Sequence, residues 1–283
     1  MRDPEFHQIT LGGKHYHLES QIGNETGFER FVARGVDGDH VFIKLLRLEH
    51  HSYEDMRRAL KRSAALSERA FQALSEIVVE ILWYGDCEEG YGIVSRYVSG
   101  GSLRDWMNSE SSVTASTRVL RMFRKIAGEV AILHAKGLMH FNLKPDNILL
   151  NGGGRPKLTD FMSLAYTTSR KRRFQKESSG FVAPECHKRD RAAGPLADVY
   201  TLGAVLFYLC TGSDPAQREE NLYLLPPKLQ TLVTHACRYD PNERPKSVAL
   251  LLSALAATQV RPWWHWVAIG VGVIAFGTAL VLW

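Results

Sequence analysis

Within His140-Phe141-Asn142-Leu143-Lys144-Pro145-Asp146-Asn147-Ile148-Leu149-Leu150, an imidazole, two carboxamides, an ammonium and a carboxylate fall close together. Asn147 in this run and Asp160 in Asp160-Phe161-Met162 offer hard oxygens of the kind that suit Mg²⁺. Asn142 offers a carboxamide, whose oxygen has no useful basicity near pH 7, so it cannot serve as a proton acceptor. Lys44 closes the apolar run Val41-Phe42-Ile43, where an ammonium is expected to serve a site.

These groups need elements to position them. Residues 16–22 and 41–46 read as strands, with a glycine-containing turn region between them. Ser52 opens a helix, with Asp55 placed for a capping box and Met56, Leu60, Phe71 and Leu74 giving an apolar side. Residues 77–84 and 91–98 return to strand character before Gly100-Gly101 breaks the chain. Leu120, Phe123, Ile126, Ala127, Val130 and Leu133 then follow the helical period and end near Gly137. Leu202, Val205, Leu206 and Leu209 mark a buried helix. The division expected is a small strand-rich lobe with one helix over 1–98, a helical lobe over 99–257 and a linker over 258–262.

A hydrophobic fraction of 45% with 23% charged residues is that of a globular protein with a core, which excludes a disordered or collagen-like chain. The net charge of +5 and pI near 9.0 suit an anionic neighbour such as a membrane surface or nucleotide as well as an ordinary solvated surface; no nucleic-acid partner is expected. Cys87, Cys186, Cys210 and Cys237 form no C-x-x-C pair and read as reduced thiols. No apolar segment follows Met1 as a signal peptide would require. Residues 263–283, WWHWVAIGVGVIAFGTALVLW, carry no charged side chain and as a helix would span about 30 Å. Trp263, Trp264 and Trp266 at one end and Trp283 at the other suit the two interfaces, and Arg261 just outside puts the preceding residues in the cytoplasm. The segment is expected to be a single-pass tail anchor.

The run from His140 to Leu150 resembles the catalytic loop of Ser/Thr protein kinases, H-R-D-L-K-P-x-N-I-L-L, with Asn142 standing at the aspartate that accepts the substrate hydroxyl proton. Asp160-Phe161-Met162, Ala183-Pro184-Glu185, Asp198-Val199-Tyr200-Thr201-Leu202-Gly203 and Asp240-Pro241-Asn242-Glu243-Arg244-Pro245 extend the resemblance in the same order over about 16–255. It implies an α+β, two-lobed protein-kinase-like fold, here with a C-terminal transmembrane helix. It further implies a Glu185–Arg244 pair, and Asp198 holding the catalytic-loop backbone. Lys44 matches the lysine that holds the α- and β-phosphates, with Glu68 as its expected partner and Glu54 as second choice. Asn147 and Asp160 match the metal-holding residues, Lys144 the lysine that contacts the transferred phosphate, and Gly23 and Gly27 the phosphate-covering loop.

Departures from the family pattern set the functional expectation. Glu25 and Glu29 are expected to place negative charge where phosphate lies, and Phe42 with Phe31 either fills the adenine slot or thickens the core. Met162 replaces a glycine, and Phe141 replaces the arginine that grips a phosphorylated activation loop. The basic run 169–176 is either a solvated loop or a contact for an anionic leaflet. ATP and Mg²⁺ are expected to bind weakly or not at all. The chain is expected to be a pseudokinase moored to the cytoplasmic face of a membrane, docking a protein such as a kinase or phosphatase. Two alternatives stay open: a divergent active Ser/Thr kinase using Lys44, Lys144, Asn147 and Asp160, and a nucleotide sensor without transfer.

Overall fold

From Val41 to Leu45 of β4 (His40–Arg47), buried residues alternate with half-buried ones, and this period decides which side chains reach the site. In the computed structural model, which describes residues 8–25, 28–109, 116–161, 180–187 and 193–258, Val41, Ile43 and Leu45 face one core cluster. Lys44 and Leu46 face the other side, where α1 (Tyr53–Ala73) lays Met56, Leu60 and Ala64 against Leu46, Tyr91 and Ile93. The sheet is antiparallel throughout, in the order β1 (Gln8–Leu11), β2 (Lys14–Glu25), β3 (Phe28–Gly35), β4, β6 (Gly90–Arg96), β5 (Ile81–Cys87). It curls until β1 meets β5. Gly12, at φ 59°, sits under the Trp83 ring, where an added Cβ would lie 2.5 Å from the indole.

The larger lobe is built from α2 (Leu103–Ser109), α3 (Thr117–Ala135), α4 (Pro195–Thr211), α5 (Pro227–Ala236) and α6 (Val248–Thr258). α4 is apolar nearly all round and buried along almost its whole length, as a helix through a core must be. The hairpin β7 (Ile148–Leu150) and β8 (Pro156–Leu158) lies at the junction of the lobes. There Val79 N–H donates to the Leu158 carbonyl at 3.0 Å, and Leu158 N–H to the Ile77 carbonyl at 2.8 Å. Residues 77–79 therefore run along β8, and the strand expected from residue 77 begins at Ile81.

Two local expectations are corrected. The region read as a glycine turn contains β3, because Phe31 and Ala33 alternate into the core that Ile43 and Leu45 line. The capping box at Ser52 does not form: its φ of −119° and ψ of 28° are not the extended cap conformation, and Asp55 pairs with Arg58 at 2.9 Å instead. α3 does end as expected, with Gly137 at φ 69° and its N–H on the His134 carbonyl. All four cysteines are free. Among the described residues no single helix is long and apolar enough to cross a membrane; the expected anchor at 263–283 lies outside them.

Candidate functional site

The site is assembled from the first turn of α4 outward. Asp198, fully buried there, accepts from the backbone N–H groups of His140 and Phe141, each at 2.8 Å, and contacts His134 Nε2 at 2.8 Å. A carboxylate in the first turn also meets the positive end of the helix dipole. This grip holds Phe141 at φ 59°, a left-handed conformation that costs an ordinary residue about 1–2 kcal/mol. Asp198 thus holds the loop as the motif implies.

From that fixed point a relay of amides crosses the site. Asn147 Nδ2 donates to the Asn142 carbonyl at 2.8 Å, and Asn142 Nδ2 donates to the Asp160 carbonyl at 2.9 Å. Asn142 is therefore not a vacant substitute for a carboxylate: its NH₂ ties the catalytic loop to Asp160, which itself sits at φ 59°. A carboxylate at this position has no hydrogen to donate. Lys44 Nζ lies 2.8 Å from Asp160 Oδ2, and the Phe28 ring covers the same ammonium at 4.8 Å from its centroid. Burial pushes the Asp160 carboxyl up, but the charge and hydrogen bond of Lys44, with Lys144 beside them, outweigh it and hold it below the usual carboxylate range.

Glu68 does not join Lys44. The buried face of α1 carries Met56, Leu60, Ala64, Ser67 and Ala70, and Glu68 is one residue, roughly 100° of helix, off that face. Its carboxylate is exposed and accepts from Tyr84 Oη at 3.2 Å. Glu54 is likewise exposed in the first helical turn. Of the two readings for Phe31, the core one holds. It packs on the Ile43 side of the sheet, while Val32 stands opposite Phe42 and Arg30 opposite Lys44. Glu29 is neutralised by Arg47 at 2.7 Å, so its charge does not stand free against a phosphate. Gly23 lies in β2 beside a register irregularity. Gly27, Met162 and the basic run 169–176 fall outside the described residues.

Asp146, the other carboxylate in the loop, is pinned by a bidentate contact to Arg104 of α2 at 2.7 and 2.8 Å. Burial raises its carboxyl, and Arg104 outweighs that and lowers it. Arg104 lies 42 residues from Asp146, and no sequence signal links the two. Phe28 carries no sequence signal for its contact with Lys44, since in a segment resembling a phosphate loop the glycine before it is the marked residue.

Asn147, with Nδ2 committed, keeps its oxygen, and Asp160, whose own side chain is 32% exposed, keeps its second carboxylate oxygen. No cluster of three or more His, Cys, Asp or Glu is present among the described residues. Two hard oxygens fit Mg²⁺ only where phosphate oxygens complete its shell, which is how this ion is usually held. Bound there, it would neutralise phosphate charge.

His140 is wholly buried and stacked on Phe161 at 4.3 Å. Burial pushes its imidazole down to about 4, so the folded protein holds it neutral while the unfolded chain titrates near 6.5. Between those values the unfolded state binds the extra proton, and stability falls as pH falls. The expected contribution to that loss is about 3 kcal/mol between pH 6.5 and 4, at about 1.4 kcal/mol per unit. Urea unfolding across this window should show the slope, reduced by that amount in His140→Phe.

A family model described as the protein kinase domain matches residues 16–255. Serine/threonine-protein kinase PrkC of Bacillus subtilis (strain 168) is 30% identical over 220 residues, covering 76% of this chain and 33% of that protein. Serine/threonine/tyrosine-protein kinase HT1 of Arabidopsis thaliana is 30% identical over 251 residues, covering 86% of this chain and 60% of that protein. The chain thus spans about a third of PrkC and less than two thirds of HT1. The solved structure "PpkA-294 apo form" superposes with a TM-score of 0.64 at 19% identity, covering 85% of this chain and 95% of that one, a likeness of fold.

Proposed function

The chain belongs to the protein kinase family, and from that premise we propose that it is a pseudokinase: a kinase-fold module that docks another protein and does not transfer phosphate. One observation carries the reading. The residue at the proton-acceptor position is an amide whose NH₂ is committed to the Asp160 carbonyl at 2.9 Å. General-base assistance is worth 10²–10⁴-fold, about 3–5 kcal/mol of barrier. Asp146 is no replacement, because Arg104 holds both its oxygens. The structural half of the family signature is meanwhile whole, with Glu185 and Arg244 paired at 2.6 and 2.7 Å in the interior. A scaffold needs that half and not the other. The partner fits the class of another kinase or a phosphatase, met through the large lobe or activation segment.

Membrane tethering belongs to the same proposal. It rests on the uncharged segment 263–283 with Arg261 before it, and the positive-inside bias supports a folded domain on the cytoplasmic side of a single-pass anchor.

A nucleotide-sensing reading is favoured by the grouping of Lys44 and Lys144 around Asp160, with Asn147 joined to it through Asn142. Thermal shift of the full chain with and without Mg-ATP separates the two. No shift supports the nucleotide-free scaffold, a shift without turnover supports the sensor, and turnover that Lys44→Ala abolishes overturns both. The Phe28 ring competes for the lysine that phosphate would need, with a strength of about 0.5–2 kcal/mol for such a contact. Phe28→Ala is therefore expected to tighten Mg-ATP binding by about tenfold, read by titration calorimetry.

A further inference from the structure

We propose that the neighbouring surfaces of α3 and α6 form a face that lies flat on anionic lipid. This rests on the membrane-tethering reading above and adds a second contact to it, made by the folded domain itself.

α3 carries Arg118, Arg121 and Lys125 at exposed positions on one side of the helix, with Arg118 also over the Trp106 ring, and exposed Lys136 caps its C-terminus on the same side. Glu129 is its only acidic residue. Three of these cations, with Arg124, crowd the N-terminal half, where the first turn has no acidic residue. The helix dipole is positive at that end, so the positive potential there adds to that of the side chains and favours an anionic surface. Lys125 Nζ donates to the Gly154 carbonyl at 3.3 Å, which brings the β7–β8 turn and its exposed Arg155 alongside. Ile132, 47% exposed, interrupts the cationic stripe with an apolar side chain.

α6 packs against α3 and has no charged residue. Val248, Leu251 and Leu255 are buried, while Ala249, Leu250, Ser253, Ala256 and Ala257 stand exposed on the opposite side, Leu250 by 53%. An uncharged, partly apolar surface helix beside a cationic one has the make-up of an interfacial element, whose apolar side meets the acyl boundary while lysine and arginine meet headgroups. The occupant is fixed by the chain itself. Only four residues separate Thr258, the last of α6, from Trp263, where the apolar segment begins, so a bilayer entered by that segment is held within reach of this face. Docking here would give the domain one orientation on the membrane.

The test uses the full chain mixed with phosphatidylcholine vesicles, either neutral or containing phosphatidylglycerol. A water-soluble amine-acylating reagent is applied and the modified lysines are read by mass spectrometry, with exposed Lys14 on β2 as internal reference. The expected result is flotation with both vesicles, and acylation of Lys125 and Lys136 slowed by roughly fivefold or more relative to Lys14 only on anionic ones. Arg121→Glu should remove that slowing while flotation persists. Flotation with equal labelling on both vesicles overturns the docking face alone. Absence of flotation on either overturns the tether and the face with it.

Discussion

Glu185→Ala is expected to lower the stability of the domain by about 3–5 kcal/mol, enough to unfold much of it. Arg244 is 1% exposed, and its guanidinium meets both Glu185 oxygens, at 2.6 and 2.7 Å, within one planar fork. Its remaining N–H groups donate to the carbonyls of Arg238, Leu196 and Tyr239. Removing the carboxylate leaves a cation in the interior that cannot lose its proton and has no countercharge. Arg244→Met with Glu185→Leu together removes both charges and should cost less than the single change. Urea midpoints of the wild type, the single and the double variant decide this. Equal losses in single and double would mean that packing, and not the unpaired charge, sets the effect.

Asn142→Asp combined with Phe28→Ala is expected to raise phosphate transfer from Mg-ATP by 10²–10⁴-fold over the background rate of Lys44→Ala, the range of general-base assistance. The two changes address separate obstacles. The first supplies the proton acceptor, and the second uncovers the Lys44 ammonium now lying under the Phe28 ring. Asn142→Asp alone should gain less. It also breaks the donation to the Asp160 carbonyl and adds a negative charge near Asp160, a loss of about 1–3 kcal/mol of stability. Transfer rates of both variants, read beside their melting temperatures, separate a missing base from a disturbed loop.

Much of the frame was legible in the sequence because it depends on periodicity and on motifs read in order. The helix around Leu120 to Leu133 ends where Gly137 stops it, and the Glu185–Arg244 pair forms between two motifs 59 residues apart. The departures have a common cause. Lys44 was recognised from its strand, but its counterion depends on how α1 is rotated, and one residue of helix carries Glu68 away from the cleft to Tyr84. For Phe31 the adenine slot and the core stay equally open in the sequence, because strand parity shows only once β3 is registered against β4, which puts it in the core. Nor could sequence show what Asn142 does with its amide. The substitution announces a lost base, and only geometry reveals a bond to Asp160 that aspartate could not make. Arg104, which disarms Asp146, carries no signal short of three dimensions.

The most direct test is phosphate transfer from Mg-ATP to a generic protein substrate by the full chain, run beside Lys44→Ala and Asn142→Asp. The expected result is a wild-type rate no higher than that of Lys44→Ala. A wild-type rate well above Lys44→Ala and unchanged in Asn142→Asp would contradict it, because phosphate would then be moving without need of the carboxylate at that position.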